Sequence, residues 1–122
     1  MGIRDRSYAA IGDVIAAEYR RRRVPTFALL AASDRYNGWR YGYRFDALRP
    51  IDHVARLAPR PLLIIHGSAD AFTPVEHGRQ LHAAAPSAEY WEVPGADHAH
   101  SYAANPQAYV DRVAGFCERS LK

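Results

Sequence analysis

One stretch of the sequence constrains the fold more than any other, the continuous apolar run Pro61-Leu-Leu-Ile-Ile-His66. It is bounded by Pro61 and Gly67, and apolar and polar positions do not alternate within it. A short run of this kind is typical of a strand that is buried on both faces, as in a parallel sheet. The run therefore predicts an α/β fold with helices packed on the sheet.

Strand and helix patterns alternate in the second half of the chain. Helix-start signals at residues 73–76 predict a helix that extends to about residue 85. The alternating segment 88–93 predicts a second strand, and residues 105–121 predict a helix with one apolar stripe. This order of elements implies parallel strands joined by right-handed crossovers.

The first half of the chain carries weaker patterns. Residues 8–23 predict a helix, because apolar side chains recur there at helical spacing and Pro25 follows as a stop signal. Residues 27–32 form a short apolar piece, and the aromatic-rich segment 33–49 is predicted to be irregular. A short helix is predicted over residues 50–57, with a proline at its first position.

Composition excludes several classes of protein. The chain has 122 residues, of which 48% are apolar and 24% charged, so it is predicted to be globular rather than disordered. It has no apolar run long enough to span a membrane and no apolar signal core, so we expect a cytoplasmic protein that does not bind membranes. Cys117 is the only cysteine, which excludes an intramolecular disulfide and a zinc-binding cysteine cluster.

Two loops should meet at one edge of the predicted sheet. One carries Asp70 and follows the first predicted strand, and the other carries His98 and follows the second. In open α/β sheets, ligand-binding and catalytic groups gather at the carboxyl ends of the strands. A carboxylate beside an imidazole fixes its tautomer and stabilises its cation, which leaves the other ring nitrogen free to act as a base.

The sequence around these two residues resembles the C-terminal portion of an α/β-hydrolase, most closely the esterase and prolyl-oligopeptidase-like branches. The resemblance rests on four motifs: Pro61-Leu-Leu-Ile-Ile-His-Gly-Ser-Ala-Asp70, Thr73-Pro74, Val93-Pro-Gly-Ala-Asp-His98, and the segment Tyr109 to Phe116. It implies that Asp70 is the acid and His98 the base of a catalytic triad that hydrolyses a small ester or a peptide. It implies no cofactor and no metal.

The resemblance also sets a division of the chain. Residues 1–122 are predicted to form one α/β-hydrolase-like domain of the C-terminal type. Within it, residues 1–47 form a helix and a cap-like region, and residues 48–122 carry the strands that hold the acid and the base.

The chain departs from the family at the nucleophile. In α/β-hydrolases the serine lies in a Gly-x-Ser-x-Gly elbow that precedes the acid and the base. No serine of this chain is flanked by the elbow glycines; the serines are Ser7, Ser33, Ser68, Ser87, Ser101 and Ser120. The sequence resembles a hydrolase that begins after its nucleophile, so we expect the chain alone to be inactive as a serine hydrolase.

Three other interpretations remain open. The missing upstream strands would leave a sheet edge uncovered, which predicts a self-associating domain, most simply a homodimer, or pairing with a chain that supplies those strands.

The arginines at 20–23 and the mixed arginine and aromatic residues at 35–45 are compatible with nucleic-acid binding, although no recognised binding motif accompanies them.

The third interpretation is a metal site. His66, Asp70, His98 and His100 are residue types that ligate metals. The family resemblance accounts for His66 and His98 without a metal ion, so the hydrolase interpretation is favoured.

Overall fold

Three parallel strands form the sheet in the computed structural model, which describes residues 1–5 and 7–122. The strands are β1 (Gly2–Asp5), β2 (Leu62–Gly67) and β3 (Glu89–Val93), in the order β1-β2-β3. Every residue of β2 is buried, as its continuous apolar run predicts. The predicted α/β class, with parallel strands at 62–67 and 89–93, is therefore confirmed.

Six helices connect and cover the strands. They are α1 (Ile11–Arg21), α2 (Thr26–Tyr41), α3 (Ile51–Val54), α4 (Glu76–Ala84), α5 (Ser101–Ala104) and α6 (Pro106–Ser120). Two short 3₁₀ turns, Phe45–Ala47 and Ala55–Leu57, complete the described elements.

The side chains of β2 divide between two apolar clusters, because successive residues of a strand point to opposite faces of the sheet. Leu62 and Ile64 pack with Leu81 of α4 on one face. Leu63 and Ile65 pack with Phe116 of α6 on the other. Full burial of one such side chain contributes about 1.5–3 kcal/mol. The sheet is thus held between α4 and α6.

The prediction of an irregular segment over residues 33–49 is wrong for its first part, because α2 continues to Tyr41. No residue of α2 is buried, so the helix has no apolar stripe that could appear as a period in the sequence. The helix ends where Gly42 adopts a left-handed conformation with φ of 74°. That conformation is the usual one for a glycine at a helix terminus.

The sequence also did not predict β1. Its four residues include a single large apolar side chain, that of Ile3, so no alternation can be seen. The strand forms because it pairs with β2, with Gly2 opposite Leu62 and Asp5 opposite Ile65. Part of the region predicted as helical and cap-like, residues 1–47, therefore belongs to the sheet. Arg6 of that region lies outside the described residues.

No helix in the described part of the chain is both long enough and apolar enough to cross a bilayer.

A pH dependence of stability follows from the buried His77 of α4. Its Nδ1 accepts a hydrogen bond from the backbone N–H of Ala9 at 3.3 Å, and burial lowers the pKa of His77. The unfolded chain has an ordinary histidine pKa of about 6.5, so it takes up the proton first as the pH falls. We therefore expect the stability contributed by neutral His77 to be complete above about pH 6.5 and to be lost as the pH falls from there through the lowered pKa.

The measurement is urea unfolding at pH 7.5 and 5.5. His77→Asn keeps an acceptor oxygen near the position of Nδ1 but does not titrate, so this variant should lose less stability between the two pH values than the wild type. His53→Asn, at an exposed histidine of α3, is the matched control and should lose as much as the wild type. Equal losses in the wild type and His77→Asn would contradict the prediction.

Candidate active site

Asp70 lies in the loop that follows β2, where two backbone groups hold its carboxylate. Oδ1 accepts hydrogen bonds from the N–H groups of Phe72 at 2.9 Å and Thr73 at 2.7 Å. This local turn is the arrangement that favours aspartate in loops. The residue is buried, and its second oxygen, Oδ2, is left to face a partner from another loop.

That partner is His98, in the loop that follows β3. Its Nδ1 lies 2.9 Å from Asp70 Oδ2, within the range expected from their positions at adjacent strand ends. The carboxylate can only accept, so Nδ1 carries the proton and Nε2 keeps a free lone pair. The side chain of His98 is 35% exposed, and its ring centroid is 5.0 Å from that of Phe72. This geometry suits a base whose tautomer is set by an acid.

Backbone hydrogen bonds join the loop that carries Asp70 to the loop that carries His98. The backbone N–H groups of Ser68 and Ala69 donate to the carbonyl oxygens of Val93 at 2.9 Å and Ala96 at 3.0 Å, respectively. Gly67 makes this approach possible, because a Cβ atom built on it would lie only 2.3 Å from the Ala96 oxygen. We call the loop that carries Asp70 the acid loop and the loop that carries His98 the base loop. The spacing of these two loops therefore depends on the absence of a side chain at position 67.

His66 lies beside the acid loop, where its side chain contacts Thr73 and Asp70. It is fully buried, and its Nε2 donates to the backbone carbonyl of Thr73 at 2.8 Å, while Asp70 Oδ2 is 3.7 Å from the same nitrogen. His100 donates from Nδ1 to the backbone carbonyl of His98 at 2.8 Å. Within residues 1–5 and 7–122, no three histidine, cysteine or acidic side chains are grouped to hold a metal ion.

The serines nearest the pair in sequence are engaged elsewhere. Ser68 Oγ accepts from the backbone N–H of Gly95 at 2.8 Å. Ser101 is buried, and its hydroxyl donates to Asp5 Oδ1 at 3.2 Å. Tyr109 donates to the other oxygen of Asp5 at 3.1 Å, which links β1 to α6. In the described part of the chain, no serine hydroxyl forms a hydrogen bond with His98.

The arginines considered for nucleic-acid binding are partly paired. Arg21 and Arg22 both donate to Glu18 of α1, and these hydrogen bonds, that of Arg21 first, lower the pKa of Glu18 to about 2. The aromatic residues of the second candidate segment lie on α2 and the turn after it, with the Trp39 side chain largely exposed. Their rings pack mainly against one another, as between Tyr41 and Tyr43 at 6.1 Å.

Comparison with known families assigns the chain to a class. The model of the family described as TAP-like protein, a family of α/β-hydrolases, matches residues 33–119. This range is more than half of the chain and includes both Asp70 and His98. The chain belongs to the TAP-like family of α/β-hydrolases, so the resemblance to α/β-hydrolases found in its sequence is confirmed.

Solved structures agree with this fold. An esterase from Pyrococcus furiosus matches 99% of this chain and 45% of its own, with a TM-score of 0.68 and 18% identity. A hydrolase from Pseudomonas aeruginosa matches 94% of this chain and 54% of its own, with a TM-score of 0.59 and 19% identity.

A truncated carbohydrate esterase from gut microbiota matches 65% of this chain and 29% of its own, with a TM-score of 0.52 and 29% identity. The chain therefore spans 29–54% of the length of these three structures. No curated protein matches it.

Proposed function

We propose that this chain supplies the acid, Asp70, and the base, His98, of a serine hydrolase that cleaves carboxylic esters. The observation that carries the proposal is the 2.9 Å contact between His98 Nδ1 and Asp70 Oδ2. Two backbone N–H groups hold the other oxygen of Asp70, so the acid cannot rotate away from the base without losing both hydrogen bonds. The Nε2 of His98 then points its lone pair away from the acid.

The reaction requires a nucleophile that this sequence does not contain, a serine in a Gly-x-Ser-x-Gly elbow. The serine oxygen attacks the ester carbonyl carbon while His98 Nε2 takes the hydroxyl proton, and Asp70 stabilises the imidazolium that results. His98 then returns the proton to the departing alcohol, and a water molecule activated in the same way releases the acid.

An ester substrate is favoured by the structures that resemble this chain. Two of the three described above are named as esterases, and the third is named as a hydrolase. Phe72 adds an apolar wall beside the base, because its ring lies 5.0 Å from that of His98 and is 45% exposed. An acyl or alcohol group of low polarity would pack against such a ring.

The experiment that tests the base is hydrolysis of nitrophenyl acetate by the chain itself. Without a nucleophile, His98 can still activate water, so we expect slow hydrolysis above the buffer rate. His98→Ala should return the rate to that of buffer. His53→Ala is the matched control because it removes an exposed histidine of α3, outside the two loops of the site, and it should leave the rate unchanged. Equal rates in the wild type and His98→Ala would refute the role of His98.

A second prediction concerns the nucleophile. We expect a fluorophosphonate probe to leave the chain unlabelled, because such probes react with a serine that a neighbouring base has activated. Intact-mass spectrometry after overnight incubation measures the labelling. Stoichiometric labelling that His98→Ala abolishes would show that one of the serines of this chain is the nucleophile, and Ser68 and Ser101 would be substituted first.

A second candidate function is self-association, and the edge of the sheet favours it. Among residues 1–5 and 7–122, β1 pairs with β2 alone, and Ile3 and Met1 at this edge are exposed. An uncovered strand edge with apolar side chains is a template for pairing with another strand. We propose that two copies of the chain associate across β1, since two-fold dimers are the commonest assemblies.

Sedimentation velocity at micromolar concentration tests this association. We expect a dimer for the wild type and a monomer for Ile3→Lys, because a charge on an edge strand opposes pairing. Leu121→Lys changes an exposed apolar residue outside the sheet and should remain dimeric. A wild-type monomer at these concentrations would contradict the proposal.

A further inference from the structure

Asp97 precedes the base in sequence and joins the two loops of the site. Its Oδ1 accepts a hydrogen bond from the backbone N–H of His98 at 2.7 Å and another from the backbone N–H of Ala71 at 3.1 Å. Ala71 directly follows Asp70 in the acid loop. One oxygen atom therefore binds the backbone beside the acid and the backbone of the base. These two donors also lower the pKa of the Asp97 carboxyl.

The contact with Ala71 distinguishes this arrangement from an ordinary turn. An aspartate that only stabilises its own turn bonds to the backbone one to three residues away, as Asp97 does with His98. Ala71 is 26 residues away in sequence. The hydrogen bonds that Ser68 and Ala69 form with the base loop lie before Asp70 in the chain. The bond from Ala71 to Asp97 therefore holds the part of the acid loop that follows Asp70.

We infer that Asp97 is a positioning residue that holds His98 at hydrogen-bond distance from Asp70. It acts through backbone groups of both loops, and the inference rests on the proposed function of the pair. Without the Asp97 carboxylate, the N–H groups of Ala71 and His98 would lose their shared acceptor. The two loops could then separate beyond the 2.9 Å at which His98 Nδ1 meets Asp70. A displacement of about 1 Å in such a pair can reduce a rate by as much as about 100-fold.

Three substitutions separate the parts of this role. Asp97→Ala removes both hydrogen bonds. Asp97→Ser keeps a short acceptor for the local bond to His98 but does not reach Ala71. Asp97→Asn keeps an oxygen in the place of Oδ1 and can accept both hydrogen bonds. Asp111→Ala is the control, because Asp111 is an exposed aspartate of α6 that accepts a local hydrogen bond from Gln107.

The first measurement is the NMR signal of the His98 Nδ1 proton, which is shifted downfield while it is bonded to a carboxylate. We expect this signal in the wild type, Asp97→Asn and Asp111→Ala, and its loss in Asp97→Ala and Asp97→Ser while the amide spectrum stays dispersed. A merely structural role would lower the melting temperature but leave the signal in place. If Asp97→Ala does not fold, Asp97→Ser decides the matter. Retention of the signal in a folded Ala or Ser variant would overturn the inference.

The second measurement is the part of ester hydrolysis that depends on His98. We expect it to fall about tenfold in Asp97→Ala and Asp97→Ser and to change less than about twofold in Asp97→Asn. If His98→Ala had no effect on hydrolysis, the proposed function would fail. The NMR signal would still show whether Asp97 positions His98. The two hypotheses can therefore be rejected separately.

Discussion

Substituting Gly67 by Ala is expected to lower the free energy of unfolding by about 3 kcal/mol, the upper end of what an overpacked site usually costs. A Cβ atom on residue 67 would lie 2.3 Å from the Ala96 carbonyl oxygen and 2.9 Å from its carbonyl carbon. Both atoms belong to a backbone that also accepts the hydrogen bond from Ala69 N–H, so the base loop can move away only by breaking that bond.

Urea unfolding followed by circular dichroism measures this effect. Gly12→Ala is the matched control, because Gly12 lies in α1 and a Cβ atom there would meet no atom within 4 Å. Replacing a helical glycine by alanine stabilises a protein by about 0.5–1 kcal/mol, so the two variants should change stability in opposite directions. A Gly67→Ala protein as stable as the wild type would show that the two loops are not in contact in solution.

The Asp70→Asn variant is expected to lose about 100-fold of the ester hydrolysis that depends on His98, at the lower end of what a positioned general base contributes. The asparagine amide oxygen can still accept the N–H groups of Phe72 and Thr73, so the acid loop should keep its shape. The amide NH₂ group then faces His98 Nδ1 in place of Oδ2. Because this group donates, the ring proton must move to Nε2, and the lone pair that would take a proton disappears.

Initial rates with nitrophenyl acetate, corrected for the rate of His98→Ala, measure this loss. The control is Asp111→Asn, which makes the same chemical change on the exposed surface of α6 and should retain the wild-type rate. A folded Asp70→Asn protein with the wild-type rate would show that the orientation of His98 does not depend on Asp70. The variant also separates chemistry from folding, since its melting temperature should remain near that of the wild type.

The fold of the second half could be predicted because its signals are local and redundant. The run 61–66 is apolar at each position between its bounding proline and its terminal histidine, and such a strand is stable only where both of its faces are covered, as in a parallel sheet. The helix that begins at Pro106 carries its start signals in the sequence itself, because Asn105 caps it and a proline occupies its first turn. The signals at residues 73–76 predicted α4 but not its cap, because this helix begins at Glu76 and its N-cap position, Val75, forms no side-chain cap. Because adjacent parallel strands end at the same edge, the positions of Asp70 and His98 along the chain were enough to predict that they meet.

Other parts of the site have no such local signal. Asp97 is next to His98 in sequence, and an aspartate in that position suggests a turn, but nothing local indicates that its carboxylate also binds Ala71 in the other loop. Asp5 is similar, because its bonds to Ser101 and Tyr109 join residues about 100 positions apart. The length and exposure of α2 could not be predicted either, since a helix without a buried face leaves no apolar period.

The class of fold, the buried strand β2 and the meeting of Asp70 with His98 could be predicted from patterns of neighbouring residues, because burial and strand direction act through such patterns. Contacts between distant segments are what make β1 a strand, require Gly67 to lack a side chain and let Asp97 join the loops. Each of these depends on a distance between segments that are far apart in the chain, and such distances are set by packing against β2.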